Sequence, residues 1–304
     1  MDIGVLGVGV MGINHARIYS ELKNVKNLFI CDTNEERGKE ISELYDATFC
    51  SSYEEMLDLV EGVNICVPTR YHYDFAKTAI EKNVNTFIEK PICGTYSEAK
   101  KLLNIISEDL VVGVGHIERF NPIIPEIVKI TKEPVYVEIN RHNPDSARML
   151  SSTVIEDLMI HDIDIVFNNL FSGDYHMNNS GNADIASSQI KFGNAVVHIS
   201  ASRMACKKIR RIYIEEEDKT IEADLMNQEM YVYRKPTNLQ SDSRQYLQEN
   251  LIEKILVNKL EPLKIELSTF LSCINSSEEF PVSPWQAVLN MEICERIKKD
   301  LSLI

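Results

Sequence analysis

The sequence predicts two domains: a doubly wound parallel α/β sheet over residues 1–118, and an α+β domain with a mostly antiparallel sheet over residues 119–304. Three observations predict this. The chain has 304 residues, which suits two domains of ordinary size. Its first 115 residues alternate short apolar runs with longer amphipathic ones. After Arg119-Phe120-Asn121-Pro122 that alternation gives way to closely spaced strand patterns separated by turn residues.

In the first domain the strand candidates are 3–6, 28–31, 47–50, 63–67, 86–88 and 110–114. Helical patterns lie between them at about 11–23, 34–45, 53–61, 71–83 and 97–107. Strands this apolar have no wet face, so helices are expected on both sides of a parallel sheet. In the second domain a helix-like stretch follows Pro122. Strand candidates come next at 135–141, 188–192, 195–201, 211–216, 220–225 and 230–233, with one helical segment, 155–170, inside the block. Gly193-Asn194 and Asp218-Lys219, each a pair of turn residues, lie between neighbouring strands, as in hairpin turns. The end of the chain is helical at about 245–275 and 284–301, where Ser283-Pro284 suits an N-cap followed by proline at the first helical position. Helices are expected on one side of this second sheet.

Composition excludes several functions. Apolar residues are 44% and charged residues 26%, enough for a packed core. The net charge of −14 disfavours a nucleic-acid or anionic-membrane partner, but not a small anionic ligand with a local positive site. No apolar run approaches the roughly 18 residues of a membrane span. A strand-like run begins at Asp2, so no secretory signal is expected. The seven cysteines, odd in number and without C-x-x-C, suit reduced thiols in a cytoplasmic protein. His15, His116 and His198 lack metal-ligand spacing, so no metal is expected. Cys93 lies close to Lys90-Pro91 but has no adjacent histidine to activate it.

Gly7-Val8-Gly9-Val10-Met11-Gly12 is a G-x-G-x-x-G run between the first strand and the first helix. Gly7 permits the tight turn, Gly9 lets backbone approach a pyrophosphate, and Gly12 lets the helix pack on the strand. Val10 and Met11 open that helix, whose N-terminus faces the phosphate charge. Asp32 ends the second strand, 20 residues after Gly12. A carboxylate there accepts bonds from adenosine ribose hydroxyls and repels a 2′-phosphate, and the nearest arginine, Arg37, is five residues on. NAD is therefore expected in preference to NADP. The alternative role for Asp32 is to cap the next helix.

Glu89-Lys90-Pro91 closes the fifth strand, at the carboxyl end that faces the ligand crevice of a doubly wound sheet. Asp157 and His161 are i and i+4, so on a helix they share a face, and Asp164 follows at i+7. A histidine flanked by carboxylates is oriented and kept basic, as a general base should be. Taken singly, each feature also suits a surface lysine or a solvated acidic helix face.

As a set these segments resemble the Gfo/Idh/MocA oxidoreductase family. The resemblance spans nearly the whole chain: the glycine run, Val67-Pro68-Thr69 with His72, Glu89-Lys90-Pro91, and Asp157–Asp164. It implies a Rossmann domain joined to an open antiparallel sheet, with NAD(P) and a sugar-like polyol meeting at the junction, and a homo-oligomer (dimer or tetramer) built through that sheet. It also implies roles. Lys90 and His161 are the catalytic pair, Asp157 supports them, Glu89 lies near the nicotinamide ribose, and Pro68, Thr69 and His72 line the cofactor. The segment 115–122, with Glu118, Arg119 and Asn121, resembles the family's lining of the substrate cleft. Two stretches, 114–122 and 157–164, resemble the branch that oxidises the 3-hydroxyl of UDP-N-acetylglucosamine. The family's glycine cluster ahead of Asp157 is here Ser151-Ser152-Thr153, which shapes that loop differently.

A sugar-nucleotide diphosphate calls for guanidinium groups, and Arg119, Arg141 and Arg148 are the candidates. The basic run 203–211 better suits a solvated strand edge or turn. The expected reaction is hydride transfer from a secondary carbinol to NAD, with His161 as base and Lys90 stabilising alkoxide charge, the two roles being exchangeable. Two other readings stand beside it. One is a dehydrogenase of a UDP-sugar acid or a free polyol. The other is a non-catalytic NAD-binding regulator, which has no need of Lys90, Asp157 and His161 together.

Overall fold

The computed structural model describes residues 1–144, 152–235 and 251–304. The chain forms two compact units, one of Met1–Phe120 and Glu261–Glu292, the other of Asn121–Leu260 and Ile293–Ile304.

In the first unit, β1 (Asp2–Leu6), β2 (Asn27–Cys31), β3 (Thr48–Phe49), β4 (Gly62–Ile65), β5 (Asn85–Glu89) and β6 (Val112–Gly115) form one parallel sheet, ordered β3-β2-β1-β4-β5-β6. This is the doubly wound order, with its switch point between β1 and β4. The connecting helices are α1 (Val10–Glu21), α2 (Glu35–Leu44), α3 (Tyr53–Leu57), α4 (His72–Glu81) and α5 (Tyr96–Leu103). Their apolar faces bury Ala16, Ile18, Ile41, Met56, Ala76 and Leu102 on a sheet whose strands are almost wholly buried. Asn34 caps α2, Ser52 caps α3, and Thr95 with Glu98 forms a capping box on α5.

In the second unit, α6 (Ile123–Ile130) precedes an eight-stranded sheet. Its strands are β7 (Tyr136–His142), β8 (Tyr175–Gly181), β9 (Ile185–Phe192), β10 (Ala195–Ser202), β11 (Ile209–Glu215), β12 (Lys219–Asp224), β13 (Glu229–Arg234) and β14 (Leu251–Ile255). Their order is β14-β13-β12-β11-β7-β10-β9-β8, antiparallel except for β7 on β10. Two strands depart from expectation. β8 has a polar sequence with little strand propensity and exists by pairing with β9; β14 lies in a stretch expected to be helical and pairs with β13. The second hairpin loop is three residues, not two, because Lys219 opens β12 and its amine binds Glu216 at 2.5 Å. The segment 155–170 is helical, but α7 (Ile160–Ile165) is flanked by π-helical turns at Ile155–Met159 and Val166–Leu170.

The terminal helices are α8 (Pro262–Ser276) and α9 (Pro284–Asp300). The first unit takes back α8 and the start of α9, against the expectation that everything after 118 forms the second domain. Aromatic packing explains it: Phe270 and Phe280 lie 5.5 and 5.8 Å from Phe87 of β5 by ring centroids. Val114 of β6 also donates its amide to the Val282 carbonyl, which covers the sheet edge.

Candidate active site

The turn between β1 and α1 is built for a backbone ligand. Gly7 has φ +85° and donates its amide to the Cys31 carbonyl at 2.8 Å. A Cβ on Gly12 would lie 1.8 Å from the Gly7 carbonyl oxygen, so glycine lets the helix close on the turn. A Cβ on Gly9 would meet nothing within 4 Å. The space above Gly9 is open, and α1 has neither a side-chain cap nor an acidic residue in its first turn, unlike α2, α3 and α5. An uncapped, open helix N-terminus suits a diphosphate. Val10 is 57% exposed there, as a lining residue would be.

Asp32 stands at the other side of the turn. Its carboxylate accepts the Val8 amide at 2.7 Å and the Asn34 amide at 2.8 Å, while Asn34, not Asp32, caps α2. Arg37, five residues on, is folded back by the first turn of α2, and its Nε donates to the Val8 carbonyl at 2.9 Å. Sequence distance concealed this: one helical turn returns Arg37 to the glycine loop, on the Asp32 side.

The end of β5 holds the next group. The Lys90–Pro91 peptide is cis, and Lys90 is half-buried. Glu89 is only 7% exposed, faces Gly115 across the strand pair, and accepts His15 Nε2 at 2.8 Å. Burial alone would raise its pKa. The His15 hydrogen bond and the nearby positive charge of Lys90 hold it below the usual carboxylate value. Pro68 is exposed and Thr69 half-buried at the end of β4, open enough to line a cofactor. His72 corrects the expectation. It is 1% exposed, and its two ring nitrogens lie 2.8 Å from the Pro91 and Val67 carbonyls. It ties the two strand-end loops together and has no ring atom left for a cofactor. Cys93 is fully buried, and burial pushes its thiol up to about 12, so it is no nucleophile. Arg119 spends its guanidinium on the Pro281 carbonyl and Gln286, both at 3.1 Å, and Glu118 is 5% exposed.

In the second unit, Asp157 is half-buried on the π turn, and His161, 8% exposed, follows on α7. Arg203 lies 3.9 Å from Asp157 and also binds the Ser152 carbonyl and Asp184. The basic run thus begins with an anchored arginine, while Lys207, Lys208 and Arg211 are exposed as expected. Asp164 accepts Asn168 at 3.0 Å. Arg141 corrects the phosphate expectation. It is 2% exposed, and Nε and a terminal nitrogen bind both oxygens of Asp162 at 2.7–3.0 Å. Asn121 is likewise committed, donating to the Leu225 carbonyl and accepting the Ile123 amide at the start of α6. Arg148 and Ser151 lie outside the described residues.

Three features escaped the sequence reading. His15 and Tyr19 share a face of α1 at i and i+4, and Asn64 is a lone amide in an apolar strand. Either signal could have marked them.

Known proteins resemble this chain in sequence and in fold. The profile of the oxidoreductase family with an NAD-binding Rossmann fold, Gfo/Idh/MocA, matches residues 1–119. UDP-N-acetylglucosamine 3-dehydrogenase of Acidithiobacillus ferrooxidans is 31% identical over 77% of this chain and 77% of its own. The solved structure of that enzyme superposes with a TM-score of 0.87 at 26% identity, covering 100% of this chain and 98% of the other. Levoglucosan dehydrogenase with NADH and levoglucosan shares the fold, with a TM-score of 0.84 at 17% identity over 100% of this chain and 97% of its own.

Proposed function

Because this chain belongs to the Gfo/Idh/MocA oxidoreductases, dehydrogenases acting on CH–OH groups with a nicotinamide cofactor, we propose that it oxidises the 3-hydroxyl of UDP-N-acetylglucosamine with NAD. The observation that carries the substrate is the relative of that activity, similar over 77% of both chains.

The cofactor, when bound, supplies the hydride acceptor. The residues of this chain do the rest. The Gly7–Gly12 turn and the free amides of α1 hold its diphosphate, with Val10 and Met11 at the helix start. Asp32 accepts the adenosine ribose hydroxyls, and Pro68, Thr69 and Glu89 serve the nicotinamide end. His161 takes the hydroxyl proton, and Asp157, four residues earlier, orients the imidazole. Lys90 hydrogen-bonds the same oxygen and stabilises developing negative charge. Glu118, Arg119 and Arg148 are the residues offered to the sugar nucleotide.

Lys90→Ala and His161→Ala should lower turnover by roughly 10²–10⁴-fold while NAD affinity stays within a few-fold. A second reading, a free polyol, is favoured by one observation: Arg141 and Arg119 are engaged by protein partners, which thins the set of diphosphate ligands. The deciding experiment offers UDP-N-acetylglucosamine, N-acetylglucosamine and inositol at equal concentration with NAD, read by mass spectrometry for loss of two hydrogens. Oxidation of the UDP-sugar alone is expected. An uncharged compound oxidised as fast or faster defeats the proposal and supports the polyol.

A further inference from the structure

A chain of buried polar side chains runs beneath the end of β5. Tyr19 and His15 of α1 and Asn64 of β4 are each 0% exposed, and Glu89 closes the chain at 7%. Tyr19 Oη donates to Asn64 Oδ1 at 2.9 Å, and Asn64 Nδ2 donates to His15 Nδ1 at 2.9 Å. His15 Nε2 meets Glu89 Oε1 at 2.8 Å, and the Lys90 amide donates to Glu89 Oε2 at 3.2 Å. With Asn64 so oriented, Nδ1 can only accept, so the ring is neutral, carries its proton on Nε2, and donates it to an ionised carboxylate. Every group in the row is then satisfied in one direction.

None of these side chains contributes to the core through apolar contact alone. Four buried polar residues in a sheet core cost stability unless fully paired, and their pairing specifies one arrangement. That arrangement ends on Glu89, and it begins on the helix whose first turn opens at the glycine loop. Gly115 completes the seat, since a Cβ there would come within 3.1 Å of Glu89 Oε2.

We propose that His15, set by Asn64 and Tyr19, is a positioning residue that holds Glu89 ionised and in place next to Lys90. This rests on the reading above that Glu89 and Lys90 serve the nicotinamide end. The carboxylate needs such a partner because burial opposes its charge. The charged and titratable groups around Glu89 are His15 from α1, Cys66 beyond β4, His72 from α4, and its neighbour Lys90; Glu266 faces the far end of the row at Tyr19. Both His72 ring nitrogens face carbonyls and Cys66 is held as a neutral thiol by burial, whereas the His15 ring is hydrogen-bonded directly to the Glu89 carboxylate.

The test compares His15→Leu, which removes both ring nitrogens, with His15→Gln, which keeps a donor. Two readouts are taken on each. The first is ¹⁵N-histidine NMR of the folded, cofactor-free protein, with the His15 signals assigned by their loss in His15→Gln. A protonated Nε2 and an unprotonated Nδ1, unchanged between about pH 6 and 8, are expected. An imidazolium, which would require Asn64 turned over, overturns the proposal. The second is NAD affinity against pH by calorimetry. Affinity that needs ionised Glu89 is lost as pH falls through the Glu89 pKa, so His15→Leu should move that acidic limb up by about one pH unit or more. His15→Gln should recover at least half of the shift. Should His15→Leu fail to fold, the NMR result and the His15→Gln profile still decide. An unmoved limb in a folded His15→Leu overturns the proposal. If the limb moves as expected but the protein oxidises no alcohol, the positioning role stands and the dehydrogenase reading of the site falls, so the two failures are distinguishable.

Discussion

At Gly9 and Gly12 one methyl group should separate binding from folding. A Cβ on Gly9 enters open space, and its backbone, at φ −67°, is one that alanine adopts freely. Gly9→Ala should therefore melt within about 0.5 kcal/mol of the parent, as surface substitutions do. It should still lose roughly tenfold or more in NAD affinity, about 1.4 kcal/mol, because the methyl stands where a diphosphate must approach. Gly12→Ala should lose both, since its Cβ would lie 1.8 Å from the Gly7 oxygen. Thermal melting and a NAD titration on both variants check this; equal melting of the two would refute the packing argument. Asp32 is the other decisive residue of the turn. NAD is expected to bind more tightly than NADP, and Asp32→Ala to narrow that difference while weakening NAD. Arg37 works in the opposite sense, because a guanidinium held to Val8 offers an attraction to a 2′-phosphate. Arg37→Ala should consequently widen the preference for NAD. Calorimetric dissociation constants for both cofactors decide; comparable affinities in the parent would remove Asp32 as the discriminator.

Among the elements, β7 and the helical segment 155–170 are joined by the buried Arg141–Asp162 pair. Breaking a buried pair strands a charge, which typically costs about 3–5 kcal/mol, whereas replacing both partners by apolar side chains is often near neutral. Arg141→Met and Asp162→Leu should each destabilise by about that much, and the double variant by clearly less than either single change. Urea unfolding measures this. Should Arg141→Met instead keep its stability and raise KM for the sugar nucleotide, the arginine returns to the substrate site. The same segment shows what periodicity leaves open. Spacing places Asp157 and His161 on a helix but does not separate α from π winding, and the π turns emerge only in the folded chain. Two elements, β8 and β14, owe their state to a neighbour, since an edge strand is completed by the hydrogen bonds of its partner.

The whole molecule should lose stability in acid in two stages. Burial pushes the His72 imidazole below its ordinary 6.5, against the two carbonyls that favour its protonated form, so the charged ring is disfavoured in the fold and stability declines as pH falls below 6.5. Glu89 is held below its ordinary 4.5, so its contribution is present above 4.5 and lost as pH falls through the folded value. The melting temperature should accordingly decline from pH 6.5 downward and more steeply below 4.5. A flat profile between pH 6.5 and 4.5 would show that His72 is not coupled to folding, and no steepening below 4.5 would show the same of Glu89. Self-association through the eight-stranded sheet is our expectation for the assembly. Its outer face carries half-buried Tyr136, Tyr213, Tyr231 and Tyr233, with Tyr136 and Tyr213 at 6.3 Å by ring centroids. Analytical ultracentrifugation at micromolar concentration should find a dimer or tetramer, and a monomer would reject it. Among the described residues, no helix is long and apolar enough to cross a membrane.

Local chemistry made much of this protein legible before folding. The alternation of apolar strands and amphipathic helices, the G-x-G-x-x-G turn, the acidic end of β2 and the Ser283-Pro284 helix start all depend on residues close together in the chain. Periodicity and turn residues encode such features directly. The partners of buried polar groups were not legible. Whether Arg141 met a phosphate or Asp162, whether His72 lined a cofactor or bridged two carbonyls, and what Asn64 was doing in an apolar strand were decided by residues 21, 19 and 49 positions away. A buried donor or acceptor takes whichever partner the packed core brings within bonding distance, and only the tertiary structure sets that distance.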